Sequence, residues 1–308
     1  MGMEMTMPRQ IHPGRTYLIT RRCTQRQFLL RPDAKTNATF EYCLAEAAER
    51  HGIELIAWQA MSNHYHAVAH DPRGRLPAFL EHFHKMVAKA LNVRWSRWEN
   101  LWATEETCVT YLPTSSDVFD KVVYTLANPV ADHLVERAAD WPGSSSLRHL
   151  RGVRTKHPRP RQFFRKAGTM PELAELRATP PPPSGGLTSE SAEAWTERVL
   201  AAVTRRERAA REERIRSGRR VLGRRAVRKA SALDSPKTAE PRRNLRPAVA
   251  CKNKARRIAV LAELVAFRVK YAAARRRFIA GERRVEFPAG TYGLRAWGVT
   301  CAPFPVCA

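Results

Sequence analysis

The sequence predicts an α+β fold: a small antiparallel sheet with helices packed on one face, followed by a basic, mainly helical C-terminal extension. Two observations lead to it. Segments of strand and helix periodicity run strand-helix-strand-strand-helix-strand-helix over the first 130 residues, an order that suits a split βαβ unit. The run PPPPSGG, from Pro180 to Gly186, then reads as a linker, and Arg-rich helical patterns lie beyond it.

Taken in order, residues 1 to 14 carry Met and Pro and are expected to fray. Arg15 to Arg22 (RTYLITRR) reads as a strand with a basic turn after it. Asn37 to His51 is Ala- and Glu-rich and closes on Gly52, a helix stop. Ile53 to Ala60 and His64 to His70 are strand candidates joined by Met61-Ser62-Asn63. Asp71-Pro72-Arg73-Gly74 is a turn signal. From Leu76 to Arg97, Leu80, Phe83, Val87 and Leu91 recur at helical spacing. Cys108 to Leu112 is a short strand, and Ser116 or Asp117 caps a helix running to Pro129. Trp141 to Ser146 is a loop, and Arg148 to Lys166 is basic and broken by prolines. These features divide the chain into residues 1 to 14, an α+β domain over 15 to 165, a linker over 166 to 190 and a basic extension over 191 to 308. In the extension, Ser191 to Arg216 and Lys254 to Ala280 read as helices, and 231 to 250 as irregular.

The formal charge is +25. Solubility does not need so much charge, and its natural partner is a polyanion, nucleic acid before an anionic membrane. No apolar run reaches membrane-spanning length, and the first residues lack the apolar core of a signal peptide, so a cytoplasmic, nucleoid-associated protein is expected. The six cysteines are scattered without a C-x-x-C pair, which argues against a zinc ribbon and for free thiols.

Met61-Ser62-Asn63-His64-Tyr65-His66 is the stretch with chemical content. In an extended segment His64 and His66 point the same way, and two imidazoles on one strand face make half of a divalent-metal site. Two half-exposed histidines at a strand edge are the ordinary alternative. On the later helix, Tyr124 and Asn128 are four apart and Lys121 is three before Tyr124, so a phenol, a carboxamide and an ammonium share a face. The ordinary alternative there is a tyrosine beside an apolar stripe, with Asn-Pro ending the helix. His70 reads as a turn residue. His82 and His84 face different ways on their helix and make poor joint ligands. Trp95, Trp98 and Trp102 could stack bases, though packing accounts for them more simply.

Together, Asn-His-x-His after an apolar strand, Tyr124 four before Asn128-Pro129-Val130, and the Trp141 to Ser146 loop resemble the REP-associated tyrosine transposases, which are single-tyrosine HUH endonucleases. The likeness spans roughly residues 8 to 165, and Thr20 to Arg26 resembles the family's opening. The resemblance implies a ferredoxin/RRM-like HUH nuclease core. It implies Tyr124 as nucleophile, His64, His66 and Asn128 as ligands of Mg2+ or Mn2+, and single-stranded or hairpin DNA as substrate of a monomer or homodimer. Attack by Tyr124 would give a 5′-phosphotyrosine and a free 3′-hydroxyl. Asn128 is shorter than the Gln of many relatives. A supporting role for Lys121 is inferred from spacing alone, beside that of a solvated helix lysine. Arg21, Arg22 and Arg26 are expected on the DNA backbone, as are Arg219, Arg220, Arg224 and Arg225 of the extension, whether in a helix-turn-helix fragment or a solvated basic helix. Three rivals remain at this stage: a non-catalytic binder of structured DNA, a metallonuclease that activates water, and an RNA-binding protein on a similar sheet.

Overall fold

A computed structural model describes residues 8–161, 168–182, 190–238 and 247–304. Its strands and helices are β1 (Arg15–Arg22), α1 (Ala34–His51), β2 (Glu54–Ala60), β3 (His64–Asp71), α2 (Leu76–Arg94), β4 (Cys108–Tyr111) and α3 (Ser115–Ala131), then β5 (Thr155–Pro158), β6 (Leu173–Leu176), α4 (Ala192–Ser217), α5 (Arg224–Lys229), α6 (Lys254–Ile279) and α7 (Gly293–Ala296). The first four strands form one antiparallel sheet in the order β2-β3-β1-β4. The α+β order expected from the sequence is therefore observed.

Strand alternation divides the sheet's side chains between two cores. Tyr17, Ile19, Trp58, Tyr65 and Ala67 pack with α1 and α2 on one face. Leu18, Ala57 and Val68 pack on the other with α3 and, behind it, α4. The expected single helical layer is thus α1 and α2, and α3 takes the opposite face because its stripe of Val118, Val122, Val123, Leu126 and Val130 covers the second apolar set of the strands. Pro129 does not end α3, which continues to Ala131.

Helix ends follow local chemistry. Asp33 caps α1 by accepting from Thr36 N at 2.9 Å, and Gly52 closes it at φ 67°, a left-handed conformation open to glycine. Asp71 accepts from Arg75 N and Leu76 N, both at 2.8 Å, and so starts α2. The turn therefore begins after Asp71. His70, read as a turn residue, belongs to β3, where it is buried with Nδ1 3.1 Å from Thr16 Oγ1.

The loop after α3 completes the open edge of β2. Ala60 N donates to Ser144 O and Ser146 N to Trp58 O, each at 2.9 Å, and Trp141 Nε1 donates to Ala60 O at 2.8 Å. Gly143 lies so close to Trp141 Nε1 that a Cβ there would collide with it and stand 2.8 Å from Ala60 O. His149 follows, wholly buried beside Trp58, with Nδ1 donating to Val153 O at 2.8 Å and Nε2 accepting from Arg148.

Several segments are more integrated than the sequence suggests. Residues 8 to 14, expected to fray, include buried Ile11, whose N–H bonds Gly290 O at 3.0 Å. The expected linker, 166 to 190, contains β6, whose Ala174 and Leu176 pack with the α1 core; its residues 166–167 and 183–189 lie outside those described. Trp195, Val199 and Val203 of α4 share the α3 core. Tyr271 and Phe278 of α6 pack against Phe287, and Phe267 packs against Tyr271, as an aromatic core stripe should. The described cysteines are free thiols, with Cys23, Cys43 and Cys251 buried. Among the described residues no helix is long and apolar enough to cross a membrane.

Two outcomes test this packing. Gly143→Ala should cost about 1–3 kcal/mol, because the added methyl meets backbone and a pinned indole, and should lower the midpoint of urea unfolding without changing its slope. Burial holds His149 at a pKa of about 4, against an ordinary 6.5. The unfolded chain binds the extra proton, so this contribution is complete above pH 6.5 and is lost as pH falls toward 4. The melting temperature should drop across that window, and less steeply in His149→Gln than in the wild type; equal slopes would sink the assignment.

Candidate functional site

The register of β3 against its neighbours builds the site. His66 lies opposite Thr20 of β1 and Gln59 of β2, and His64 lies opposite Arg22. Tyr65 points the other way, into the α1–α2 core, where its hydroxyl is 2.6 Å from His84 Nε2. His64 and His66 share the face covered by α3, with ring centroids 4.9 Å apart.

Each imidazole is oriented through Nδ1. His64 Nδ1 is 2.8 Å from Asn63 Oδ1. The Asn63 amide nitrogen donates to Arg26 O at 3.1 Å, so its oxygen must face the histidine and the His64 proton sits on Nδ1. His66 Nδ1 is 2.8 Å from Thr20 Oγ1. Burial, with Arg22 nearby, pushes the His64 pKa down to about 4. Burial, then His64 and Lys121, hold that of His66 well below its ordinary value. Both rings are therefore neutral near pH 7, and His64 Nε2 carries a free lone pair.

The helix contributes the rest. The Tyr124 ring meets His66 edge to face at 5.2 Å, and Lys121 Nζ stands 5.4 Å from the Tyr124 ring centre. Tyr124 remains 44% exposed. Partial burial, then Asp132, raise its pKa above that of an ordinary phenol. Asn128, one turn on, is buried against His64. Contact with its carboxamide favours a protonated His64 ring, yet Asn128 Oδ1 makes no hydrogen bond. The orphan status is the better description, since with the proton on Nδ1 the Nε2 of His64 has nothing to donate. Two neutral imidazoles and a buried, unsatisfied carboxamide oxygen are a donor set that fits a divalent cation. Among the described residues no cluster of three or more His, Cys, Asp or Glu could hold a metal.

The structure thus unites His64, His66, Lys121, Tyr124 and Asn128. It separates Arg21 from them. As the strand neighbour of Arg22 it emerges on the opposite face, donating to Thr107 Oγ1 at 2.5 Å and His84 Nδ1 at 3.3 Å and lying over Trp102. There it fixes a neutral His84 against Tyr65. Arg22 stays on the histidine side, 4.0 Å from Glu105. Arg26 donates to Thr238 O at 2.7 Å. Arg219, Arg220, Arg224 and Arg225 are exposed. His82 pairs with Glu46 at 2.6 Å, remote in role from His84, as their spacing suggests. Of the tryptophans, Trp102 is buried, Trp95 is flanked by Arg31 and Arg94, and Trp98 is fully exposed.

Sequence reasoning missed Gln59. It is wholly buried on the histidine face, and neither amide atom has a partner. Its signal was a lone amide in the otherwise apolar run Leu55 to Ala60. Asn63 was read only as a turn former, whereas it also sets the His64 tautomer.

No family model matches the chain, and no curated protein does. Among solved structures it is similar to a REP-associated tyrosine transposase bound to a REP hairpin, at 17% identity and TM-score 0.41, over 61% of this chain and 96% of that one. It is also similar to a Deinococcus radiodurans protein assigned as a transposase, at 20% identity and TM-score 0.27, over 34% of this chain and 84% of that one.

An unsatisfied buried carbonyl costs about 1–3 kcal/mol. Asn128→Leu should therefore raise the melting temperature of the metal-free protein, measured in chelator. A clear decrease would show that Asn128 is held by its own hydrogen bonds and serves packing alone.

Proposed function

We propose that the chain is a metal-dependent DNA endonuclease and strand transferase of the transposase type, with Tyr124 as its nucleophile. The observation that carries this reading is the edge of the Tyr124 ring against His66, with Asn128 one helical turn beyond and an orphaned oxygen beside His64. The ordered sequence motifs support the same reading. His64, His66 and Asn128 would hold the cation, and Mn2+ suits two imidazoles better than Mg2+, which prefers oxygen. Bound there, it would withdraw charge from a scissile phosphate.

The chain's own groups do the rest. The Tyr124 oxygen attacks phosphorus, forming a phosphotyrosine ester as the bond to the 3′-oxygen breaks. The phenolic proton leaves to solvent on the exposed side, and the departing 3′-oxygen takes up a proton. Because one phosphoester replaces another, a 3′-hydroxyl can reverse the step without ATP. Burial and the Asp132 charge raise the Tyr124 pKa, and Lys121, with Nζ 5.4 Å from the ring centre, is the cation placed to stabilise a phenolate. Thr20 and Asn63 keep the imidazoles aimed; loss of such an orienting partner typically weakens metal affinity 10- to 100-fold.

The test is a trapping assay with labelled single-stranded and hairpin oligonucleotides and Mn2+ on a denaturing gel. A slow-migrating protein–DNA adduct should form, and disappear with Tyr124→Phe and with chelator. Cleavage that survives Tyr124→Phe would instead identify a water-activating nuclease. Binding with neither cut nor adduct would identify a DNA-binding protein, and tighter binding of matched RNA an RNA-binding one.

A further inference from the structure

Between α4 and residue 238 the chain crosses from the end of the tyrosine helix to the loop behind the histidines. Gly218 ends α4 in a left-handed conformation. Leu222 N and Gly223 N then donate to His133 O and Leu134 O, each at 3.0 Å, just past α3. Val227 is buried in the α3 core. At the far end, Arg31 donates to Ala230 O at 3.3 Å, Gln27 Nε2 to Leu233 O at 3.2 Å, Phe28 N to Asp234 O at 2.8 Å and Arg26 to Thr238 O. Arg26 O is also the acceptor for Asn63, the residue that orients His64. The crossing is therefore bolted to both halves of the site.

Its outer side is cationic. Arg219, Arg220, Arg224, Arg225, Arg228 and Lys229 are exposed. Arg214, just before them, is neutralised by Glu136 at 2.8 Å; among the described residues none of the six has a carboxylate partner. At the far bolt, Gln27 Oε1 also accepts from Arg97 at 2.9 Å, and the next residue is the fully exposed Trp98. Unneutralised guanidinium groups leading to a bare indole are the two components of a single-strand path: one follows phosphates and the other stacks a base.

The geometry points to residues 219–238 as one wall of the channel that carries the single-stranded part of the DNA past Tyr124, with Trp98 as a base platform at its far end. This rests on the proposed tyrosine chemistry only for the identity of the substrate. The extension is then a built part of the cleft, acting on the strand and not on a duplex stem.

Binding is measured with full-length Tyr124→Phe protein, which cannot cut, and two fluorescent probes: a DNA hairpin with a single-stranded tail and the same hairpin without it. A variant with Arg219, Arg220, Arg224 and Arg225 all changed to Gln should keep its melting temperature, since all four are exposed. It should bind the tailed hairpin more weakly, with the slope of log affinity against log salt reduced by about 3, near 0.7 per lost phosphate contact, and bind the tailless one nearly as before. Trp98→Ala should weaken tailed binding roughly 5- to 150-fold. Unchanged affinity, or equal loss on both probes, overturns the wall; an unaffected Trp98→Ala removes the indole from it. Wild-type protein that binds tails through the strap yet forms no adduct would sink the tyrosine chemistry and leave the wall standing.

Discussion

Everything at the site depends on α3 closing the second face of the sheet. Strand alternation alone would leave His64 and His66 on a wet surface, free to titrate near 6.5. Under α3 they lose water, and burial makes the neutral imidazole the favoured form. The same packing brings Tyr124 against His66 and Asn128 against His64, so one helix–sheet contact sets protonation, orientation and proximity together. Because Trp195 and Val199 of α4 pack behind α3, the basic extension braces the helix that carries the phenol.

That face also holds polar groups the fold does not satisfy. Asn128 Oδ1, both amide atoms of Gln59 and the Thr125 hydroxyl are buried without partners. Burying such groups costs on the order of 1–3 kcal/mol each. Gln59 is the cross-strand neighbour of His66, where a Leu would pack at no such cost. On the opposite face Tyr65, His84, Arg21 and Thr107 form a linked chain, although Arg21 Nε and the Tyr17 hydroxyl are buried there without partners as well.

The layered core was legible because its signals are local. Short apolar runs marked the strands, the spacing of Leu80, Phe83, Val87 and Leu91 marked α2, the Ala- and Glu-rich run closed by Gly52 marked α1, and Asp71 opened a turn signal. His64, His66, Tyr124 and Asn128 could be grouped because two spacings, i+2 on a strand and i+4 on a helix, each fix a shared face. Which side of the sheet α3 would take was not legible, since both faces of β2 and β3 are apolar. Arg21 was misplaced because a strand residue can be assigned to a face only once its register is known. β5 and β6 are four residues each and pair across a gap in sequence, too short for any period to show. The docking of 222–238 rests mainly on backbone donors and acceptors, which every residue carries, so no side-chain pattern announces it.

Net charge therefore says less than the local arrangement of charge. Many arginines of this cationic chain are spent internally: Arg94 on Asp33, Arg198 on Glu190, Arg214 on Glu136, Arg277 on Glu282. The unneutralised cations of α5 and the turn before it lie where the chain passes from the tyrosine helix toward the histidine loop. A basic tail on a flexible tether would raise affinity for any polyanion equally. A basic segment anchored both past the end of α3 and at the loop of residues 26–31 would constrain where phosphates can lie, and so, if Tyr124 is the nucleophile, which phosphodiester reaches it. On the proposed chemistry the extension would then affect the choice of scissile bond as well as the strength of binding.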